Sequence, residues 1–255
     1  MSLKENITKK RVFVLVSVVL LSVLYYFTSL YRVYLPPDAP YFPEGRNSIL
    51  FFEWLFGPLF NGSPWIDFWQ YIWQFGMAFL LFLIVPMLII KYYFKEPQTV
   101  YGWQWGDKKF NLIWTIIGIA LLPVFFFFSD PSLAQEYPLT KLGWIDPSSF
   151  LTLFITFNLI YFIYYIGFEF IYRAYLQFGL KGKEELGRIG LIVIILISTA
   201  LSVLIHIGKP MLEIASAAAI GPLFGWLTLR GRSFIWPVLI FHWFIGIAQN
   251  IPPLL

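Results

Sequence analysis

The chain alternates long apolar runs with short polar or basic clusters. Residues 12–31 form an apolar stretch of the ~20 residues that cross a bilayer, behind Lys4, Lys9, Lys10 and Arg11. The run ends in aromatics and Arg32 rather than in a small-residue cleavage site, so it reads as a retained helix. Residues 32–48 carry Pro36, Pro37, Pro40 and Pro43 and predict an external loop without helix. Residues 49–60, with Glu53 and a Gly57-Pro58 break, are too short to span and predict an interfacial or re-entrant helix. Residues 65–94 open with Trp65, Trp69, Tyr71 and Trp73 and close at Lys91 and Lys95, a tilted span with an aromatic belt.

A third span is predicted over 111–128, where Pro123 is tolerable as a kink, followed by a proline-bearing outer loop at 129–147. The fourth begins near Ser148 and runs toward Leu180, about 50 Å at ~1.5 Å per residue, which exceeds a bilayer. An inner loop then holds Lys181, Lys183 and Arg188. Further spans are predicted at 189–207, 211–229 and 234–250, with a stop at Gly208-Lys209-Pro210 and a basic Arg230-Gly231-Arg232 break. The expected fold is all-α: a polytopic transmembrane bundle of about seven spans plus a short interfacial helix. Residues 1–147 carry the first three spans and the interfacial segment, residues 148–255 the core of spans four to seven, within one membrane domain.

Composition agrees with this pattern. The chain is 59% hydrophobic, 21% aromatic and 13% charged, against about 25% charged in soluble domains. The formal charge of +4 does not point to nucleic acid, because the basic residues sit between apolar runs. With the N-terminus on the cytoplasmic side they fall mostly on inner loops, leaving Arg32, Arg46, Lys141 and Lys209 outside. No cysteine is present, which excludes disulfides, thiolate catalysis and cysteine metal sites.

Against that apolar background a few ionisable residues stand out. Glu169 and Arg173 lie four apart, on one helical face, within membrane-grade sequence, where a charge costs at least about 2.5 kcal/mol unless it faces a protein interior or wet cavity. The only two histidines, His206 and His242, lie in later spans, and Glu213 follows the first across the Gly208-Lys209-Pro210 break. Each residue has a plain structural reading: a buried ion pair for Glu169 with Arg173, a carbonyl-bonded core imidazole for each histidine. Together they offer what water activation needs, a carboxylate to take a proton and imidazoles to position water or an oxyanion. Other peptide-cutting patterns are missing: no His-Glu-x-x-His, no Gly-x-Ser-x-Gly, no pair of intramembrane aspartates. Ser202 and His206 share a face at four residues' spacing, weak grounds for a nucleophilic dyad. Ala217, Gly221 and Gly225 form a small-xxx-small stripe that predicts a packing seam.

Two His and one Glu are a known catalytic-zinc ligand set, so Glu169, His206 and His242 are the ligands if a divalent metal is used, although no metal spacing is visible. Helical rise places Glu169 and His242 within about 20 Å of the inner face and His206 and Glu213 nearer about 25 Å. The groups can meet only if the later helices tilt or start low.

These residues resemble the CPBP group of intramembrane endopeptidases, the CAAX-protease and bacteriocin-processing family. Its first motif, Glu-Glu-x-x-x-Arg, is matched in its second acid and arginine by Phe168-Glu169-Phe170-Ile171-Tyr172-Arg173. Its second, Phe-x-x-x-His, is similar to Ser202 through His206, and its third, His-x-x-x-Asn, falls at His242 with Gly246 in the asparagine place. Gln249 and Asn250 lie a turn beyond. The stretch from Gly221 through Arg230-Gly231-Arg232 to Pro237 also resembles the family, and the likeness runs from about Phe150 onward. The resemblance implies an intramembrane endopeptidase whose first glutamate activates water; here that place is Phe168, leaving Glu169 or Glu213 as the base. It implies as partners membrane lipid and a hydrophobic or prenylated peptide. Two other readings stay open: a catalytically silent relative binding a membrane partner as a chaperone or immunity factor, and a small transporter, which lacks the expected internal repeat.

Overall fold

In lipid every backbone N–H and C=O must be satisfied within its own segment, so apolar runs become helices. The computed structural model describes residues 3–35, 46–60, 63, 65–127, 137, 139–140, 146–182 and 186–251. Helix α1 (Leu3–Tyr25) continues through a π-helical turn, Tyr26–Leu30. A short helix α2 (Leu50–Phe56) is followed by α3 (Trp65–Phe94), α4 (Lys108–Phe127) and α5 (Phe150–Lys181). The C-terminal part adds α6 (Arg188–Leu204), α7 (Met211–Gly231) and α8 (Ile235–Asn250). Among the described residues, four helices are long and apolar enough to cross a membrane: Ile7–Leu30, α3, α5 and α7; α6 and α8 are apolar but shorter. The fold is all-α and of membrane type.

One expectation is corrected. The ends of the segment read as an external loop without helix form a two-stranded antiparallel ladder, Arg32–Leu35 with Arg46–Ile49, pairing Arg32 with Ile49 and Leu35 with Arg46. Val33, Tyr34 and Ile49 suit a pleated surface. The prolines themselves, most of the predicted outer loop at 129–147, and 183–185 of the inner loop lie outside the described residues. The ladder leads straight into α2, and both are tied to α3. The Gln70 side chain accepts from the Ile49 backbone N–H (3.2 Å), and the Ser48 hydroxyl donates to Glu53 (2.8 Å).

Helix α5 is the axis of the bundle. Against α3 it packs an aromatic ladder, with Phe75 stacked on Tyr161 at 4.6 Å and tilted against Phe157 at 5.4 Å. Against α1 it sets hydroxyl pairs, Tyr175 with Ser17 (2.9 Å) and Tyr172 with Ser22 (2.8 Å). Arg11 donates to the Leu180 carbonyl at 2.7 Å, satisfying one of the acceptors a helix end leaves open. The small-residue stripe of α7 is the seam the sequence predicted: a Cβ on Gly221 would lie 2.6 Å from Thr199 of α6, and one on Gly225 2.7 Å from Gln177 of α5. Within α5, the buried stretch Phe170–Leu176 is π-helical.

Helix α5 passes close to α3 at Gly167, where a Cβ would sit 2.6 Å from the Ala78 carbonyl oxygen. At Gly76, on another part of α3, a Cβ would meet nothing within 4 Å. Gly167→Ala is therefore expected to destabilise the protein by about 1–3 kcal/mol, the usual cost of overpacking, while Gly76→Ala causes no loss. Thermal unfolding of both variants in detergent checks the pair.

Candidate functional site

One short stretch of α5 delivers Phe168, Glu169 and Arg173 into the interior. Glu169 has 0% exposure, and its Oε1 lies 2.5 Å from Nδ1 of His242 on α8. Arg173 stands beside the other oxygen, Nε to Oε2 3.7 Å, an ion pair without a hydrogen bond. Its remaining nitrogens donate to α6, Nη1 to the Ser198 hydroxyl (2.7 Å) and Nη2 to the Ser202 hydroxyl (3.2 Å). Ser198 in turn donates to the Tyr172 carbonyl and accepts from the Gln177 amide. The i,i+4 pairing read from the sequence thus exists but is loose. The π-helical stretch takes five residues to close each bond instead of four, and the two serines draw the guanidinium toward α6.

His206 does not lie within α6 as expected. The helix ends at Leu204, and the imidazole hangs in the turn before Gly208-Lys209-Pro210. Its Nδ1 is 2.7 Å from the Ser202 carbonyl, an acceptor only, so the neutral ring carries its proton on Nδ1 and leaves Nε2 bare. That bare nitrogen faces Glu213 of the first turn of α7, 3.9 Å from Oε1, while Lys209 Nζ holds the same oxygen at 3.1 Å. Glu213 Oε2 is buried and has no hydrogen-bond partner among the described residues. The Ser202–His206 dyad is not formed, since the Ser202 hydroxyl donates to the Thr199 carbonyl at 2.9 Å.

The two clusters meet at Phe168. Its ring, 2% exposed, stands edge-on to both imidazoles, 5.7 Å from His206 and 5.8 Å from His242 between centroids. Tyr165 at 4.6 Å and Phe224 at 5.7 Å complete an aromatic surround for His242. The five residues singled out from the sequence are therefore brought to one place, as two carboxylate–imidazole pairs whose imidazoles both touch one phenyl ring. The conditional metal set is not assembled. Among the described residues no three His, Cys, Asp or Glu side chains converge closely enough to hold an ion.

Sequence reasoning missed Ser198, Tyr165 and Phe224. Ser198 was findable as a hydroxyl one turn before Ser202 on the same face of α6; the two aromatics were hidden among many. Asn250 is engaged elsewhere, its side chain accepting from the Leu139 N–H (3.1 Å) and donating to Asn158 (3.2 Å).

A family model described as "Rce1-like: Type II CAAX prenyl endopeptidase Rce1-like" matches residues 147–248. The match runs from the start of α5 almost to the end of α8 and includes all five site residues. No curated protein and no solved structure matches the chain. With its apolar spanning helices the chain is an integral membrane protein, and the region from α5 to α8 that assembles the site is similar to the CPBP, or CAAX-protease, family.

Proposed function

We propose that this protein is an intramembrane CAAX-protease-like endopeptidase in which Glu213 and His206 activate water while Glu169 and Arg173 orient His242. The observation that carries the reading is the bare His206 Nε2 aimed at Glu213, 3.9 Å from Oε1, beside a carboxylate oxygen with no hydrogen-bond partner among the described residues. One water bonded to both groups fits that span. Glu213 takes its proton, the oxygen attacks a peptide carbonyl, and the proton passes to the leaving amine as the C–N bond breaks. His242, ion-paired through Nδ1 to Glu169, offers its Nε2–H to the developing oxyanion. Glu169 itself has no exposed surface and is committed to His242 and Arg173, so it acts as a positioning group.

The substrate is a hydrophobic or prenylated peptide segment reaching the site between helices from the bilayer, with lipid as the surrounding partner. The chain crosses the membrane about seven times, N-terminus in the cytoplasm. That count takes α4, α6 and α8 as crossings beside the four longer helices, and the basic clusters support the orientation. A second reading, a silent relative that binds such a peptide as a chaperone or immunity factor, is favoured by Phe168. Its ring touches both imidazoles, at the place of the family's first glutamate.

Reconstitution in proteoliposomes with libraries of prenylated and unmodified hydrophobic peptides separates the two. Wild type is expected to cleave, and Glu213→Gln and His206→Ala each to lower kcat roughly 10²–10⁴-fold, the usual worth of general acid–base catalysis. Cleavage that persists in Glu213→Gln removes that residue from the base role. A folded wild type that cuts nothing in either library establishes the silent reading instead. Stability divides the two acids differently. Glu169→Gln strands a buried guanidinium and is expected to cost about 3–5 kcal/mol; Glu213→Gln, at a partly exposed pair, is expected to cost at most about 1 kcal/mol. Denaturation midpoints of the purified variants check this.

A further inference from the structure

We infer that Tyr165 of α5 is the oxyanion-binding hydroxyl of the site, supplying the donor that α8 lacks one turn after His242. The inference rests on the endopeptidase reading above and adds a residue to it. Position 246 lies four residues beyond His242, on the same face of α8, so a side chain there would reach into the space beside the imidazole. In this chain the position is glycine, and the space is taken from outside. A Cβ on Gly246 would collide with the Tyr165 hydroxyl oxygen and lie 2.7 Å and 2.8 Å from Cε2 and Cζ of the same ring. The ring is 4.6 Å from His242 between centroids. The polar tip of a residue on α5 therefore stands where a polar side chain of α8 would stand.

The hydroxyl also has the right kind of bond to give up. It donates to the Tyr161 hydroxyl at 3.0 Å, and a phenolic proton turns about its C–O bond to whichever acceptor is strongest. An oxyanion beside His242 is a stronger acceptor than a phenol. As Tyr165 turns toward it, Tyr161 can reverse and donate to Tyr165, so no donor is stranded. Tyr165 and Tyr161 are both buried, and in such surroundings a hydrogen bond to a charged oxygen is worth more than in water.

Three variants and two readouts test this. Tyr165→Phe keeps the ring over Gly246 and removes only the hydroxyl; kcat is expected to fall roughly 10²–10³-fold, as on loss of an oxyanion donor, with KM little changed. Tyr165→Ala empties the space, and Tyr165→Ala/Gly246→Asn returns an amide donor to it from α8, so the double variant is expected to exceed Tyr165→Ala by at least about tenfold in kcat. A merely structural Tyr165 would lower the melting temperature in Tyr165→Phe and leave kcat untouched, and that result overturns the inference, as does a double variant no better than Tyr165→Ala. The second readout needs no cleavage: binding of a hydrophobic peptide phosphinate, whose tetrahedral oxyanion mimics the intermediate. If wild type binds the phosphinate and Tyr165→Phe binds it at least tenfold more weakly, the donor role stands even where no peptide is cut and the endopeptidase reading has failed. Equal binding by the two, or no binding by wild type, overturns it.

Discussion

A carboxylate with no exposed surface in the middle of an apolar bundle has to be answered from several directions at once, and the C-terminal part of this chain is arranged to answer Glu169. One oxygen faces His242 and the other the Arg173 guanidinium. Arg173 carries the connection to α6 through Ser198 and Ser202. Because each group would be costly without its partner, the relative placement of α5, α6 and α8 is fixed by charge where apolar packing alone discriminates poorly, lipid tails being as apolar as the side chains. The close passage of Gly167 along the Ala78 carbonyl holds α5 against α3 one residue before the site begins. The positions of Phe168, Glu169 and Arg173 thus follow from one tight contact and one buried ion cluster.

Around that anchor the lining is largely aromatic. Phe168 stands against both imidazoles, Tyr165 stands over Gly246, and Phe224 packs on His242. The polar groups reach this lining from several helices: Glu213 of α7 lies beside His206, and the Tyr165 hydroxyl of α5 lies over Gly246 of α8.

The helices were legible in the sequence because a backbone in lipid has no alternative, and the bounds of α3 are those its aromatic belt and terminal lysines predict. The α7 seam was legible for a similar reason: small residues at four-residue spacing have few uses besides close approach. The short ladder at Arg32–Leu35 and Arg46–Ile49 was not, since proline composition says what a segment cannot be and leaves strand pairing to partners far along the chain. No residue type encodes a π-helical stretch, so the spacing of Glu169 and Arg173 was read with α-helical geometry and the pair came out tighter than it is. The Ser202–His206 spacing was weak grounds for a dyad, and the structure gives a specific reason why none forms. His206 lies just past the end of α6, where the last carbonyls lack helical partners, and its Nδ1 takes the Ser202 carbonyl in place of the hydroxyl.

That same helix end explains how groups expected at two depths come to lie together. Had α6 continued through Ile207, as its apolar sequence allows, His206 would have stayed on the helix surface. Gly208, at φ +95°, and Pro210 force the turn instead, and the unwinding drops the imidazole toward Phe168 while starting α7 with Glu213 in its first turn. Non-helical backbone at membrane depth is tolerated only where protein covers it or where it borders a polar cavity. Here the bared Ser202 carbonyl is answered by the imidazole itself, so the irregularity that ends α6 is also what fixes the tautomer of His206 and points its free nitrogen at an acid.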